Sequence, residues 1–362
     1  MRVGLVCPYS LTIPGGVQGQ VLGLARSLRG FGHEVRVLAP SDGPPPDPGV
    51  TPLGSSVPTA ANGSVAPLAP DPSAQLRTIR ALRDEDFDVV HLHEPLAPGP
   101  TMTTLLFGSA PMVGTFHAAG VSAAYRFLGP VLGRLADRLQ HRVAVSPDAM
   151  RLAQEHLGGR YQLLFNGVEV PRFAEGPIHP ADGPTIFFLG RHEPRKGLDV
   201  LLAAMRDLPD DVRLWVGGDG PQTEALRREH GHDGRIEWLG RISDEEREAR
   251  MRGCTVYCSP SVRGESFGMV LLEAMAAGCA LVASDLDGHR NVATHGENAL
   301  LVPVGDPRAL AQALRRVLED DDLRARLIAG GRRRADELSM DRLAEAYVEI
   351  YSSILAGHPA RA

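Results

Sequence analysis

Cysteine is scarce in this chain. Four in 362 residues (Cys7, Cys254, Cys258 and Cys279) are too few for the disulfide framework of a small secreted domain. Three of them lie in or beside apolar strand-like runs, so buried, reduced thiols are the expectation. Cys254 and Cys258 have no second pair of ligands, which argues against structural zinc. Positive charge is not in excess either: 38 Lys and Arg against 44 Asp and Glu leave a net charge of −6. That balance argues against a nucleic-acid partner, although a local basic face can still meet anionic lipid. No apolar run is long enough to span a bilayer. The amino terminus, Met1-Arg2-Val3-Gly4-Leu5-Val6, enters a strand pattern without the layout of a secretory leader, and a cytoplasmic location is expected. Gly-x-Gly-x-x-Gly is missing from the first strand–helix turn, which removes the dinucleotide fingerprint. His91 and His93 share a strand face, but no acid or third histidine stands at ligand spacing, so the sequence calls for no metal and no cofactor.

What is present is ordinary for a globular protein: 43% hydrophobic and 23% charged residues, in a length that suits about two domains. Strand-like and helical runs alternate throughout, the pattern of parallel sheets flanked by helices. One series runs from Val3–Cys7 through Val35–Leu38, Val89–Leu92, Met112–Thr115 and Val143–Val145 to Gln162–Phe165. The Pro- and Gly-rich stretch from Ser41 to Pro72 reads as too broken to be core. A second series starts near Thr185–Leu189 and continues to Ala299–Val302. Between them, prolines 171, 177, 180 and 184 interrupt any periodicity. The expected division is a domain over 1–171, a linker over 172–184 and a domain over 185–362, with Leu310 to Leu355 helical.

The densest chemistry lies between Gly264 and Gly278. Glu265 falls in a polar loop, Glu273 falls in a helix that ends at Gly278, and Phe267-Gly268-Met269 puts the start of that helix between them. First-turn amides there can face an anion. One carboxylate would serve sugar hydroxyls and the other a ribose diol. Arg191 and Lys196 follow the strand Thr185–Leu189, where a fork and a point charge suit a diphosphate leaving group. Asp244 and Arg247, after Ile242, can read guanine: a carboxylate accepts its N1–H and exocyclic amine, whereas uracil would repel it. Ser243-Asp244-Glu245-Glu246 is equally a capping box. His117 ends a strand and either touches a transferred sugar or is satisfied by backbone. Gly15-Gly16 opens the first helix, as a phosphate approach or a plain turn. Asp86-x-Asp88 and Asp285-x-Asp287 match a metal-binding Asp-x-Asp only formally. The segment Gln75–Arg83 reads as an amphipathic helix. Its Arg77, Arg80 and Arg83 flank either lies on an acidic membrane at the cytoplasmic face or is an ordinary solvated surface.

The Glu265…Glu273 spacing, with Ser-Phe-Gly and Glu-Ala-Met-Ala around it, resembles the donor-site signature of family-four retaining glycosyltransferases. Pro14-Gly15-Gly16-Val17-Gln18, Asn62-Gly63-Ser64, His91-Leu92-His93-Glu94-Pro95 and Arg195-Lys196-Gly197 bring the resemblance closest to bacterial phosphatidylinositol mannosyltransferases. It implies a GT-B fold, α/β with two doubly wound Rossmann-like domains facing across a cleft and the last helix returning to the first domain. It also implies transfer of mannose from GDP-mannose to the inositol ring of phosphatidylinositol. Arg191 and Lys196 would neutralise the departing diphosphate, Glu265 would orient the mannose, Glu273 would hold the ribose and His117 would contact the sugar. Gly16, Ile242, Phe267, Gly268 and Met269 would complete the donor site, and Tyr9, Gln18 and Asn62 the acceptor site. The chain departs from the pattern at Pro67-Leu68, at Leu96 and at Ala118–Ser122, all on the acceptor side. Another nucleotide sugar, or a soluble sugar or cyclitol acceptor, is therefore the alternative.

Overall fold

The computed structural model describes residues 1–61, 64–118 and 123–357. The chain forms two compact units, one of residues 1–167 with 340–362, the other of residues 168–339.

In the first unit, β1 (Arg2–Val6), β2 (Glu34–Ala39) and β3 (Val50–Pro52) are followed by the hairpin β4 (Val57–Ala61) and β5 (Ser64–Leu68). Then come β6 (Val89–His93), β7 (Met112–Phe116), β8 (His141–Ala144) and β9 (Gln162–Leu163). The main sheet is parallel with order β3-β2-β1-β6-β7-β8-β9. All five residues of β6 and of β7 are buried. Helices cover both faces of such strands, which is why they read as continuous apolar runs rather than alternating ones. Helix Gly16–Gly30 and the final helix Met340–Ala356 lie over β1, and Tyr347 and Tyr351 are buried in the same core as Leu5, Val37 and Val113.

In the second unit, β10 (Thr185–Leu189), β11 (Arg213–Gly217), β12 (Ile236–Gly240), β13 (Val256–Ser259), β14 (Ala280–Ser284) and β15 (Leu300–Val302) form a parallel sheet. Their order is β12-β11-β10-β13-β14-β15. Both sheets thus reverse winding beside their first strand, at β1/β6 and at β10/β13. At such switch points the following loops diverge beyond the carboxyl ends of the strands and leave room for a ligand.

Two expectations need correction. The 172–184 segment is not a free linker, because the second unit begins at Val168. Phe173 is buried, Arg252 donates to the carbonyls of Arg172, Phe173 and Pro177, and the amide of His179 donates to Ala249. These tertiary bonds hold a stretch whose prolines suggested mobility. The 41–72 region is not devoid of order: it supplies β3 and the antiparallel hairpin, and Leu53 and Ala69 are fully buried. The helix Pro72–Asp84 turns Ala74, Thr78 and Ala81 inward and leaves Leu76 68% exposed. Asp71 caps it by accepting the amides of Ser73 and Ala74, while Arg77 donates to the Leu53 carbonyl and Arg80 pairs with Asp84. Asn62 and Ser122 lie outside the described residues.

Candidate active site

The carboxyl edge of the second sheet gathers most of the expected donor residues. Lys196 follows β10 on a short turn, Pro194–Lys196, that ends at Gly197 in the left-handed region (φ +65°). A β-carbon at Gly197 would stand 2.1 Å from the Pro260 carbonyl oxygen, so the β10 and β13 loops touch there only because the residue has none. The contact places Lys196 Nζ 2.6 Å from Glu265 Oε1, which also accepts the Ser261 hydroxyl at 2.8 Å. Burial alone would push the Glu265 carboxyl up. Lys196, by charge and hydrogen bond, outweighs it with help from His289 and Ser261, and the group is held below the ordinary carboxylate range. Among the described residues, Oε2 of Glu265 accepts no hydrogen bond. Gly197→Ala should cost at least about 2 kcal/mol, from a strained φ plus the clash, in urea unfolding that samples the second unit. Wild-type stability would mean that the two loops have room to separate.

Gly268, at φ +84°, starts the helix Met269–Ala277 with no side-chain cap. Phe267 is 2% exposed, so its ring is core and its backbone is what can meet a ligand at this turn. Beside that turn, His289 Nδ1 bonds to the Ser284 carbonyl at 2.7 Å, while its buried Nε2 has no partner among the described residues. Glu273, further along the helix, stands 3.8 Å from Arg247 and accepts no hydrogen bond among the described residues, which leaves both oxygens for a diol. Burial raises its pKa, against the pull of Arg247 and Arg172.

Asp244 is less free than the sequence suggests. It is the first residue of the helix Asp244–Gly253, which Ser243 caps by accepting the Glu246 amide. Its carboxylate lies 2.7 Å from Arg172, which also binds Glu248 at 2.6 Å, and 3.5 Å from Arg247. Ile242 is half-buried above the end of β11. Arg191 is not drawn into the Lys196–Glu265 pair: it is 56% exposed and 3.8 Å from Glu193. Glu193 in turn binds Arg195 at 2.7 Å, and Arg195 lies 4.0 Å from Glu265. Ser261, His289 and Arg172 escaped the sequence reading because each comes from a different loop, and Arg195, though quoted in its motif, was given no role beside Lys196. One signal was available in the composition. Lys196 is the single lysine in the chain, and every other fixed side-chain cation is arginine.

The two Asp-x-Asp pairs are occupied otherwise. Asp285 and Asp287 bind Arg290, and Asp88 accepts the Arg2 amide.

At the switch point of the first sheet, the loops after β1, β6 and β7 converge. His117 follows β7, and the buried Glu94, in the left-handed region at φ +51°, follows β6. Glu94 Oε1 accepts the His117 amide at 2.5 Å and the Ala118 amide as well. Burial pushes the Glu94 carboxyl up to about 7, against those two hydrogen bonds. Tyr9 faces it: burial, then the Glu94 charge, raises the phenol. Gln18 is turned inward and donates to the Ile13 carbonyl at 3.0 Å, so it shapes the loop after β1. Gly16, the first residue of helix Gly16–Gly30, has open space around it.

Comparison with known proteins places the chain in a family. Residues 171–334 match the family model described as "Glycosyl transferases group 1", and residues 14–172 match "Glycosyltransferase Family 4". The phosphatidyl-myo-inositol mannosyltransferase of Mycolicibacterium smegmatis is 41% identical over 98% of this chain and 94% of its own length. A D-inositol 3-phosphate glycosyltransferase of Xylanimonas cellulosilytica is 30% identical over 96% and 94%. Among solved structures, the sucrose-phosphate synthase of Thermosynechococcus elongatus superposes with a TM-score of 0.77 at 21% identity, covering 98% of this chain and 99% of that one. Two Rossmann-like halves, a full-length match in sequence and these neighbours make the fold GT-B, and the chain belongs to the phosphatidyl-myo-inositol mannosyltransferase family of glycosyltransferases.

Proposed function

We propose that the protein transfers mannose from GDP-mannose, with retention of configuration, to the inositol ring of phosphatidylinositol. The observation that carries this reading is the half-buried Lys196–Glu265 pair at the β10/β13 switch point. A carboxylate kept ionised by one cation, with a second oxygen to spare, can accept hydroxyls of a bound hexose. Lys196, Arg195 and Arg191 offset charge as it develops on the diphosphate, and placing fixed charge where it develops is the largest contribution to many such reactions. Glu273 takes the ribose diol. His117 takes the sugar-contacting role that the family resemblance gives it. Attack on the face from which the diphosphate leaves requires no carboxylate nucleophile.

Mannose transfer to phosphatidylinositol is supported by the relative at 41% identity; the choice of GDP rests on Asp244 and Arg247. Asp244 must exchange Arg172 for the guanine edge, and that exchange is open to test. Calorimetry with GDP-mannose, UDP-glucose and UDP-N-acetylglucosamine should give binding only with the first, lost in Asp244→Ala. Preferential binding of a uridine sugar would refute the base assignment.

Acceptor identity is tested separately. Labelled GDP-mannose with phosphatidylinositol vesicles should yield a glycolipid, and free myo-inositol or inositol phosphate should yield little. The reverse result would favour the soluble-acceptor reading, which Pro67-Leu68 and Leu96 keep in view, as does the resemblance to a D-inositol 3-phosphate glycosyltransferase. No helix among the described residues is long and apolar enough to cross a membrane. Approach to lipid from the surface, at the cytoplasmic face, is part of the proposal. Arg77 and Arg80 of helix Pro72–Asp84 are partly engaged within the protein, which makes the exposed Leu76 and Arg83 the better probes of vesicle binding.

A further inference from the structure

β6 delivers two histidines to one face of the first sheet, because residues two apart in a strand point the same way. Their rings stack with centroids 4.4 Å apart, yet their bonding differs. His91 is saturated: Nδ1 meets the Tyr351 hydroxyl at 2.7 Å, and Nε2 meets the Thr115 hydroxyl at 2.7 Å. Thr115 in turn meets the Tyr347 hydroxyl at 2.8 Å. His91 is thereby tied to β7 and to the final helix.

His93 is bonded on one side only. Its Nδ1 lies 3.0 Å from Nε2 of His117, and its own Nε2 is buried without a partner among the described residues. The space lined by His93, Gln20, Thr115, Asn166 and Tyr347 is about 10 Å³, no more than one water needs. Gln20 is committed at both ends to the Gly167 backbone.

Burial keeps both His93 and His117 well below the usual histidine range, so each ring carries a single proton at neutral pH. Between two neutral imidazoles, one N–H faces one lone pair. If His117 were the donor, the proton of His93 would sit on Nε2 as a buried N–H with no acceptor among the described residues. If His93 is the donor, the unpartnered Nε2 is only a lone pair. Orphaned buried N–H groups are the rarer of the two in folded proteins.

We infer that His93 is a positioning residue that donates from Nδ1 to Nε2 of His117 and so fixes His117 as the Nδ1–H tautomer. Among the described residues, Nδ1 of His117 has no partner. It therefore offers a bound ligand a neutral hydrogen-bond donor, which can hold a hydroxyl oxygen but cannot remove a proton. His117 steadies an oxygen of the substrate and is not the base of the transfer. That this oxygen belongs to the sugar or its acceptor rests on the proposed function, whereas the tautomer does not. An isolated imidazole prefers its proton on Nε2, so the assigned state requires His93. The backbone is fixed independently, by Glu94 on the His117 and Ala118 amides.

The test uses the full chain labelled with ¹⁵N in histidine, read by long-range ¹H–¹⁵N spectra at neutral pH. His117 should show a protonated Nδ1 and an unprotonated Nε2. In His93→Leu it should revert to Nε2–H, and kcat should fall about 10-fold with KM for the sugar nucleotide little changed. His93→Asn, which retains an N–H near the Nδ1 position, should recover most of the loss. A wild-type His117 protonated on Nε2 overturns the inference, as does wild-type kcat in a folded His93→Leu. Should His93→Leu fail to fold, the wild-type spectrum and His93→Asn still decide. If no mannosyl transfer is found at all, the proposed function falls while the spectrum still reports the tautomer.

Discussion

Lys196→Ala is expected to lower kcat/KM by about 10²–10³-fold, the loss typical of removing one fixed group that stabilises developing charge. Two effects add. The departing diphosphate loses a point charge, and Glu265 loses the partner that offsets its burial. With Lys196 gone, burial dominates and the carboxyl titrates at higher pH, so a larger share of the enzyme carries a protonated Glu265 at neutral pH. The variant's rate should then climb with pH across the range in which wild type is flat. Glu265→Ala removes the sugar-facing oxygen and should cost more than about 10-fold in kcat on the same grounds. Lys196→Arg should not restore wild-type activity. A planar fork on a longer stem does not fit the 2.6 Å contact beside Ser261, and this chain uses arginine for every other fixed side-chain cation. Initial rates with GDP-mannose, with urea unfolding as a check on the fold, decide the matter. Near-wild-type turnover in Lys196→Ala would remove this pair from the mechanism. Because Lys196 is the only lysine, an amine-reactive probe has one side-chain target, and protection by GDP would locate the donor independently.

How much of this could be read beforehand depended on where the determining contacts lie along the chain. Strands buried on both faces, such as Thr185–Leu189 and Ala280–Ser284, announce themselves as short apolar runs. The hairpin over 57–68 did not, because Pro58 and Pro67 oppose each other in it and imitate loop composition. The 172–184 segment misled for a related reason. Proline content reports local stiffness, whereas what fixes this stretch is Arg252, some 75 residues away. Within the site, Lys196 and Glu265 were legible as motif residues, and their side chains meet. The surroundings of Asp244 were not legible, since Arg172 and Glu248 reach it from outside its motif. Nor was Glu94, whose left-handed backbone and two accepted amides belong to tertiary structure.

Acidification should unfold the first unit before the second. His91 and His117 are pushed down to about 3, and His93 also falls well below the usual value, in each case chiefly by burial. A depressed histidine pKa means that the unfolded chain binds the proton and the folded one does not. The stability it confers is complete above about pH 6.5 and is lost as pH falls from there toward the folded value. Three such groups remove about 4 kcal/mol per pH unit at full slope. Glu94 acts in the opposite sense. Its raised pKa means that the folded state holds a proton the unfolded state releases between about pH 4.5 and 7, so lowering pH through that window returns about 1.4 kcal/mol per unit. The buried phenols Tyr9, Tyr347 and Tyr351 are raised and stay protonated throughout. The three histidines outweigh the single carboxyl by number, leaving a net loss of roughly 3 kcal/mol per unit between about pH 6 and 4.5. Over that interval the loss is about 4 kcal/mol, a large part of an ordinary domain's stability. Hydrogen exchange followed by mass spectrometry can read the two units separately at pH 7.5, 6 and 5. After correction for the intrinsic pH dependence of exchange, peptides across β6 and β7 should lose protection, while those across β10 and β13 keep theirs. Among the described residues the second unit buries His192 and His289, which burial also lowers, but backbone hydrogen bonds and the Asp219 and Glu265 charges pull them back up. Equal protection of both units at pH 5 would mean that the β6 histidines are reached by water and that their shared hydrogen bonds do not hold the sheet edge in place.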